Sequence, residues 1–390
     1  MRVRLLTYST RPRGGVVHAL RLAEELAARG HEAELWALSP DGARFVREPR
    51  TAVHLVPVER RPEESVERRV PRYADALAEA LRKADTDWAE IHHAEDCLSA
   101  RALLALRAEG AVRSVVRTIH HVDAFSNRML EECQRASIQD VDHRLCVSRF
   151  WAERLRAEYD VDAEVVPNGV DAERYADCPF ERAEAGERFG WGARPAVLSV
   201  GGIEPRKGSR TLLEAFARAR ARLGPGALLV VAGGETFFDY RDYRASWLED
   251  ARRLELRVTE DGSGLEEADV AIIGTVPEED MPALYRAADV LAFPSTREGF
   301  GLVVLEALAA GLPAVVSDLA VFHEHLEDGR DCLMTPVGDS GLLAGALVQA
   351  ARDEELRERL RAGGLATAAR YSWARCAEAH ERAYGTILGA

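Results

Sequence analysis

Twice along this chain of 390 residues, a short apolar run leads through a glycine-bearing loop into an amphipathic helix, and each time the alternation continues for several more strands. The first series opens with V-R-L-L-T-Y, the loop Ser9–Gly15 and a helix from Val16 to Arg29 that Gly30 ends. H-E-A-E-L-W-A-L is the next strand, and others follow at Ala52–Pro57, Glu90–His93 and Ser114–His120, with D-H-R-L-C-V-S and A-E-V-V-P-N-G-V-D closing the half. After a polar connector, 172–194, the pattern restarts with P-A-V-L-S-V-G-G, the helix T-L-L-E-A-F-A-R-A-R and A-L-L-V-V-A-G-G. V-A-I-I-G-T-V, D-V-L-A-F-P-S and P-A-V-V-S-D continue it. Strands joined through helices run parallel, and a chain of this length exceeds one ordinary core. The expected architecture is α/β, two Rossmann-like doubly wound parallel sheets in domains 1–168 and 169–370, facing across a cleft.

Composition narrows the function. A net charge of −14 argues against a nucleic-acid partner. Fifteen Asp and Glu against six Arg concentrate the acidity in 235–289. The stretch 44–83 carries ten Arg or Lys against seven acids, as either a solvated amphipathic helix or a surface with weak peripheral membrane contact would. No run approaches the ~18 apolar residues of a membrane span, and the N-terminus lacks a signal-peptide core. Six scattered cysteines without a C-x-x-C read as small core residues in a reducing cytoplasm, and no metal is expected. The sequence leaves the oligomeric state open.

Glu298 and Glu306 bracket E-G-F-G-L-V-V-L-E, a loop that turns into a helix. Eight helical positions would span about 12 Å, too far for the close carboxylate pair of a retaining glycosidase at roughly 5–5.5 Å. The two acids suit the two ends of one elongated ligand. If Gly301 opens the helix, the backbone N–H groups of Phe300, Gly301 and Leu302 face an anion between them. A nucleotide diphosphate sugar has that layout.

The run from Pro294 to Pro313, P-S-T-R-E-G-F-G-L-V-V-L-E-A-L-A-A-G-L-P, resembles the donor-site motif of glycosyltransferase family 4, retaining enzymes of the GT-B fold. The resemblance covers nearly the whole chain. It implies that Glu298 contacts the donor hexose, that Glu306 binds the ribose, with Gly299 in the same turn, and that a C-terminal helix, 371–390, crosses back to the first domain. In S-V-G-G-I-E-P-R-K-G it implies a basic pair that neutralises the donor diphosphate. The family commonly has Arg after the first glycine, where this chain has Gly202, so Arg206 is expected to supply the guanidinium beside Lys207. Lys207 is one of two lysines in a chain that otherwise uses Arg, which suits a compact point charge.

In T-I-H-H the resemblance implies that His120 lies beside the donor sugar, and His121 is the lesser partner. Gly14 and Gly15 resemble the family's glycine pair, which lets backbone N–H groups approach phosphate or acceptor. Thr275 and Val276, in I-I-G-T-V, match the loop that carries the nucleobase through backbone atoms. His93, Glu95 and Asp96, in H-H-A-E-D, are candidates for acceptor hydroxyls, with an ordinary strand-to-helix cap as the alternative. Asn168-Gly169 is turn chemistry.

The implied reaction transfers a hexose from a UDP- or GDP-linked donor to an acceptor hydroxyl with retention and without metal or cofactor. His120, Arg206, Lys207 and Glu298 are the residues expected at the reacting centre. A sugar-nucleotide 2-epimerase and a non-catalytic sugar-nucleotide sensor are the alternatives. Base, sugar, acceptor and linkage stay open.

Overall fold

The computed structural model describes residues 1–389 apart from 62, 126, 235–239, 261 and 263. Glu235, Asp239 and Asp261 of the acidic stretch therefore lie outside the described residues. The chain divides into two compact units, Met1–Gly169 with Trp373–Ala390, and Val170–Ser372.

The first unit holds β1 (Arg2–Thr7), β2 (Glu32–Pro40), β3 (Ala52–Val58), β4 (Ile91–Ala94), β5 (Val116–Ile119), β6 (His143–Cys146) and β7 (Glu164–Val165). They form one parallel sheet in the order β3-β2-β1-β4-β5-β6-β7. Helices connect successive strands except β2 and β3, which a loop joins, and they cover the central strands. In β1 the apolar residues Val3, Leu5 and Leu6 are fully buried, and Arg4 between them is buried too, paired with Glu34.

The second unit holds β8 (Ala196–Val200), β9 (Leu228–Ala232), β10 (Val258–Thr259), β11 (Val270–Gly274), β12 (Val290–Phe293), β13 (Ala314–Ser317) and β14 (Leu333–Thr335). They too pair in parallel, in the order β10-β11-β9-β8-β12-β13-β14. Phe216 from the helix Ser209–Leu223 and Leu347 from the helix Ser340–Arg352 close a core over Val197, Leu229 and Val231. The strand order reverses between β1 and β4 in one sheet and between β8 and β12 in the other. At such a point neighbouring loops diverge to opposite faces and leave a crevice at the carboxyl ends of the strands.

Several details differ from expectation. The first helix starts at Gly14, not Val16, because Arg13 is the extended residue before it. The fifth strand stops at Ile119, leaving His120 in the loop. The connector contains helices at Ala172–Ala176 and Arg182–Arg188, the second held by a Glu181–Glu184 capping box. Helices of five and seven residues give too little periodicity to read from sequence. Among the described residues all six cysteines are free, and no helix is long and apolar enough to cross a membrane.

The last helix, Trp373–Gly389, packs on the helix Gly14–Ala28. Glu381 accepts two hydrogen bonds from Arg29, at 2.6 and 2.7 Å, and lies 2.9 Å from His31. Deeper in, the Tyr384 hydroxyl is 2.6 Å from His93 Nδ1, with both residues fully buried. Tyr384→Phe strands a buried ring nitrogen. It should cost about 1–3 kcal/mol, read as faster amide hydrogen exchange along Trp373–Gly389 and a lower urea midpoint.

Candidate functional site

In the second unit, two loops meet at the switch point. The loop after β8 runs through Gly201 and Gly202 into a single turn, Pro205–Lys207, and then the helix Ser209–Leu223. The loop after β12 runs from Pro294 to Gly301. Gly208 joins them, with φ 65° and a position where any Cβ would run into the Pro294 carbonyl. The Thr296 amide donates to the Arg206 carbonyl at 2.8 Å. This backbone seam sets both cations against one acid. Lys207 Nζ lies 2.8 Å and Arg206 Nη1 3.1 Å from the same Glu298 oxygen, Oε1. Arg206 also donates to the Arg297 carbonyl at 3.1 Å, and Lys207 Nζ sits 4.6 Å from the centre of the Phe293 ring.

Glu298 is only 9% exposed. Burial alone would raise its carboxyl, but the charges of Lys207 and Arg206 outweigh that and hold it at about 2. Burial also draws Lys207 down while Glu298 pulls it up. Two cations act on the one carboxylate, and the group at neutral pH is one carboxylate with two cations.

Gly301 opens the helix Leu302–Ala309, as its sequence position suggested. Its φ of 93° suits glycine, and a Cβ there would come within 2.6 Å of Phe322. Phe300 is buried and stacks on His325, with ring centres 4.7 Å apart. It therefore anchors the loop while the helix's first amides stay without intrahelical acceptors. Glu306, in the second turn, accepts a 2.6 Å hydrogen bond from the Tyr285 hydroxyl. Thr275 and Val276 follow β11, and the Thr275 hydroxyl packs so close to Gly234 that a Cβ there would clash. Lys207, Arg206, Glu298, Thr275 and the Gly301 turn thus all lie past the carboxyl ends of β8, β11 and β12.

The first unit gives a different result. Gly14 and Gly15 form the first turn of their helix, and a Cβ on Gly15 would lie 3.2 Å from the His120 ring. His120 is 14% exposed in its side chain, with Nε2 2.9 Å from Glu95 Oε2. That oxygen is also 3.0 Å from His18 Nδ1. His93, Glu95 and Asp96, candidates for acceptor hydroxyls or for an ordinary cap, each have partners within the first unit. His93 is fully buried, with one ring nitrogen on Tyr384 and the other 2.8 Å from Thr118 Oγ1. The Glu95 side chain has no exposure. Asp96 is a helix cap, accepting from the Ser99 amide at 2.9 Å, the Ser99 hydroxyl at 2.8 Å and the Tyr8 amide at 2.8 Å. His93 and Glu95 are covered by side chains of the helices Gly14–Ala28 and Trp373–Gly389, such as His18 and Tyr384, whereas Asp96 is half-buried and held as a cap. His121 is half-open, 3.2 Å from Asp123.

Sequence reasoning missed His18, Cys376, His380 and Tyr285. His18 follows Gly15 by three positions, the spacing that puts two residues on one helix face. Cys376 meets it from 358 residues away, with no local signal, and brings His380 one helical turn on: Sγ is 3.8 Å from His18 Nε2, and His380 Nδ1 is 2.9 Å from the Cys376 carbonyl. Among the described residues, His18–Cys376–His380 and His18–Glu95–His120 have the mutual spacing to hold a metal ion, which sequence spacing did not show.

Comparison with known families matches residues 12–174 to "Glycosyltransferase Family 4" and residues 187–366 to "Glycosyl transferases group 1". The phosphatidyl-myo-inositol mannosyltransferase of Mycobacterium leprae is 30% identical over 388 residues, covering 97% of this chain and 95% of its own. The GDP-mannose-dependent alpha-(1-6)-phosphatidylinositol monomannoside mannosyltransferase of Mycolicibacterium smegmatis is 33% identical over 258 residues, 60% of this chain and 62% of its own. Among solved structures, sucrose-phosphate synthase from Thermosynechococcus elongatus aligns over 100% of this chain and 99% of its own, with a TM-score of 0.80 at 20% identity. That likeness shows the fold, GT-B.

The Glu298 group also makes a prediction about acid stability. Its folded value of about 2 lies below its usual 4.5, so the unfolded chain binds more protons between the two. The stabilisation is complete above about 4.5 and is lost as pH falls through about 2. Its size is on the order of 3 kcal/mol. Glu298→Gln should flatten that part of the second unit's stability–pH curve, measured by urea unfolding between pH 2 and 6.

Proposed function

Because the chain belongs to glycosyltransferase family 4, we propose that it transfers a hexose from a nucleotide diphosphate sugar to an acceptor hydroxyl with retention of anomeric configuration. Glycosyltransferase activity itself follows from the family. The observation that carries the finer reading is Glu298 held between Arg206 and Lys207 at a switch point, beside the start of a helix whose second turn bears Glu306. The cations and the helix amides suit a diphosphate, Glu298 a sugar hydroxyl, and Glu306 a ribose. Arg206 takes the place of the guanidinium that Gly202 lacks, and Thr275 and Val276 carry the base through backbone atoms.

In the reaction, the bond between the anomeric carbon and the phosphate oxygen breaks and its electron pair leaves with the diphosphate. Arg206 and Lys207 stabilise the charge that develops there. The acceptor oxygen bonds to the same face of the anomeric carbon, and its proton passes to a diphosphate oxygen. His120 keeps the role beside the hexose that the family resemblance gives it. With two fixed cations balancing the leaving group, no divalent metal is needed, so EDTA should leave turnover unchanged in a standard transfer assay.

The GDP-mannose dependence named for the Mycolicibacterium smegmatis relative makes GDP-mannose the first donor to test, and the inositol lipid in both relatives' names makes an inositol-bearing acceptor the first partner, with product configuration read by NMR. Transfer with inversion would overturn the retaining assignment. The two glutamates should fail differently. Glu298→Ala should lower kcat and weaken the sugar nucleotide but barely touch the bare nucleotide diphosphate. Glu306→Ala should weaken both ligands by about ten- to a hundredfold, raising KM more than it lowers kcat. Equal loss of bare-nucleotide affinity in the two variants, by calorimetry, would remove the assignment of opposite ligand ends.

A further inference from the structure

Under the switch point of the first unit lies a group of side chains that the transfer reaction does not by itself require. Glu95 directly follows β4, and its amide is fixed to the Leu6 carbonyl at 3.0 Å. One oxygen of its carboxylate faces both His18 Nδ1, at 3.0 Å, and His120 Nε2, at 2.9 Å. A carboxylate only accepts hydrogen bonds, so each of these nitrogens must present its hydrogen to Glu95. Behind them, His380 Nδ1 faces the Cys376 carbonyl at 2.9 Å and must also be the protonated nitrogen of its ring. His93 is fixed between Tyr384 and Thr118. The side chains of Glu95 and His18 have no exposure, and His120 is the member that reaches the edge of the group.

We propose that Glu95 is a positioning residue: its buried carboxylate accepts the Nε2 hydrogen of His120 and the Nδ1 hydrogen of His18, and so fixes His120 in one orientation as the Nε2–H tautomer. This rests on the reading that His120 contacts the donor sugar. Breaking the glycosyl bond builds positive charge on the hexose ring, which an imidazolium would repel and a neutral, oriented ring would not. The electrostatics agree with the geometry. Burial lowers His18, but the Glu95 charge outweighs it and carries the ring to about 10. Burial, reinforced by the His18 charge, holds His120 at about 4 although its hydrogen bond to Glu95 pulls upward. The charged and titratable groups facing this pair are Glu95 itself, His93, Arg117, Cys376, His380 and Tyr384.

The test uses the full chain labelled with 15N-histidine, read by long-range proton–nitrogen correlation from pH 6 to 9, with His18→Gln and His120→Gln to assign the signals. In the wild type, His120 should be neutral and protonated on Nε2 across the range, and His18 protonated on both nitrogens. Glu95→Gln keeps the shape and removes the charge. It should let His18 titrate within the range and lower kcat by about ten- to a hundredfold, while the donor KM and bare-nucleotide affinity stay within threefold. A wild-type His120 that is cationic at pH 7, or protonated on Nδ1, overturns the proposal without any need for the variant to fold. So does Glu95→Gln with an altered His18 signal and undiminished kcat. Stoichiometric zinc in the purified protein, lost in Glu95→Gln, would also overturn it, because the three side chains would then be ligands. Failure of the transferase reading looks different: no turnover by the wild type with any sugar nucleotide.

Discussion

Parallel strands send every strand-to-helix loop to the same edge of a sheet, and the rest of this protein's chemistry depends on that constraint. Residues far apart in sequence become neighbours because their strands end at one level. Arg206 and Lys207 lie about ninety positions before Glu298, yet β8 and β12 are adjacent, and the Gly208–Pro294 contact closes the remaining gap. In the first sheet the same rule places Glu95 after β4 next to His120 after β5. The strand order determines which loops meet, and glycines determine how closely.

Each unit buries one carboxylate at its switch point, and the two are balanced by different chemistry. Glu298 faces cations that stay charged at neutral pH, close to the surface, where a ligand's phosphates could compete for them. Glu95 faces imidazoles, whose charge depends on their surroundings, and its own side chain has no exposure. An uncompensated buried charge is destabilising by several kcal/mol, so neither acid can be treated as a solvated loop residue. The first arrangement suits binding of an anion. The second suits holding a ring in one protonation state.

The alternation of strands and helices was readable because the central strands of the second sheet, such as β9 and β12, are continuous apolar runs and the helices between strands are amphipathic. The E-x7-E stretch was readable because Gly301 marks a helix start and the two acids flank it. What the sequence could not convey was depth. H-H-A-E-D looks like a polar loop, yet side chains of the helices Gly14–Ala28 and Trp373–Gly389 cover His93 and Glu95, and Asp96 is consumed as a cap. Local pattern does not report what packs over the end of a strand. Nor does it report partners from the far end of the chain, such as Cys376, His380 and Tyr384, which only tertiary packing brings to His18 and His93.

The first unit is discontinuous in sequence, and Trp373–Gly389 completes it only after the whole second unit has been threaded through. The second unit is contiguous in sequence and can fold without the last helix, whereas the sheet of the first lacks that cover until Trp373–Gly389 docks. The histidine cluster is thus assembled last, when Cys376, His380 and Tyr384 arrive. Premature termination a few turns short of the end would leave an intact second unit beside a first unit with an open flank, a species prone to aggregate and exposed to proteolysis.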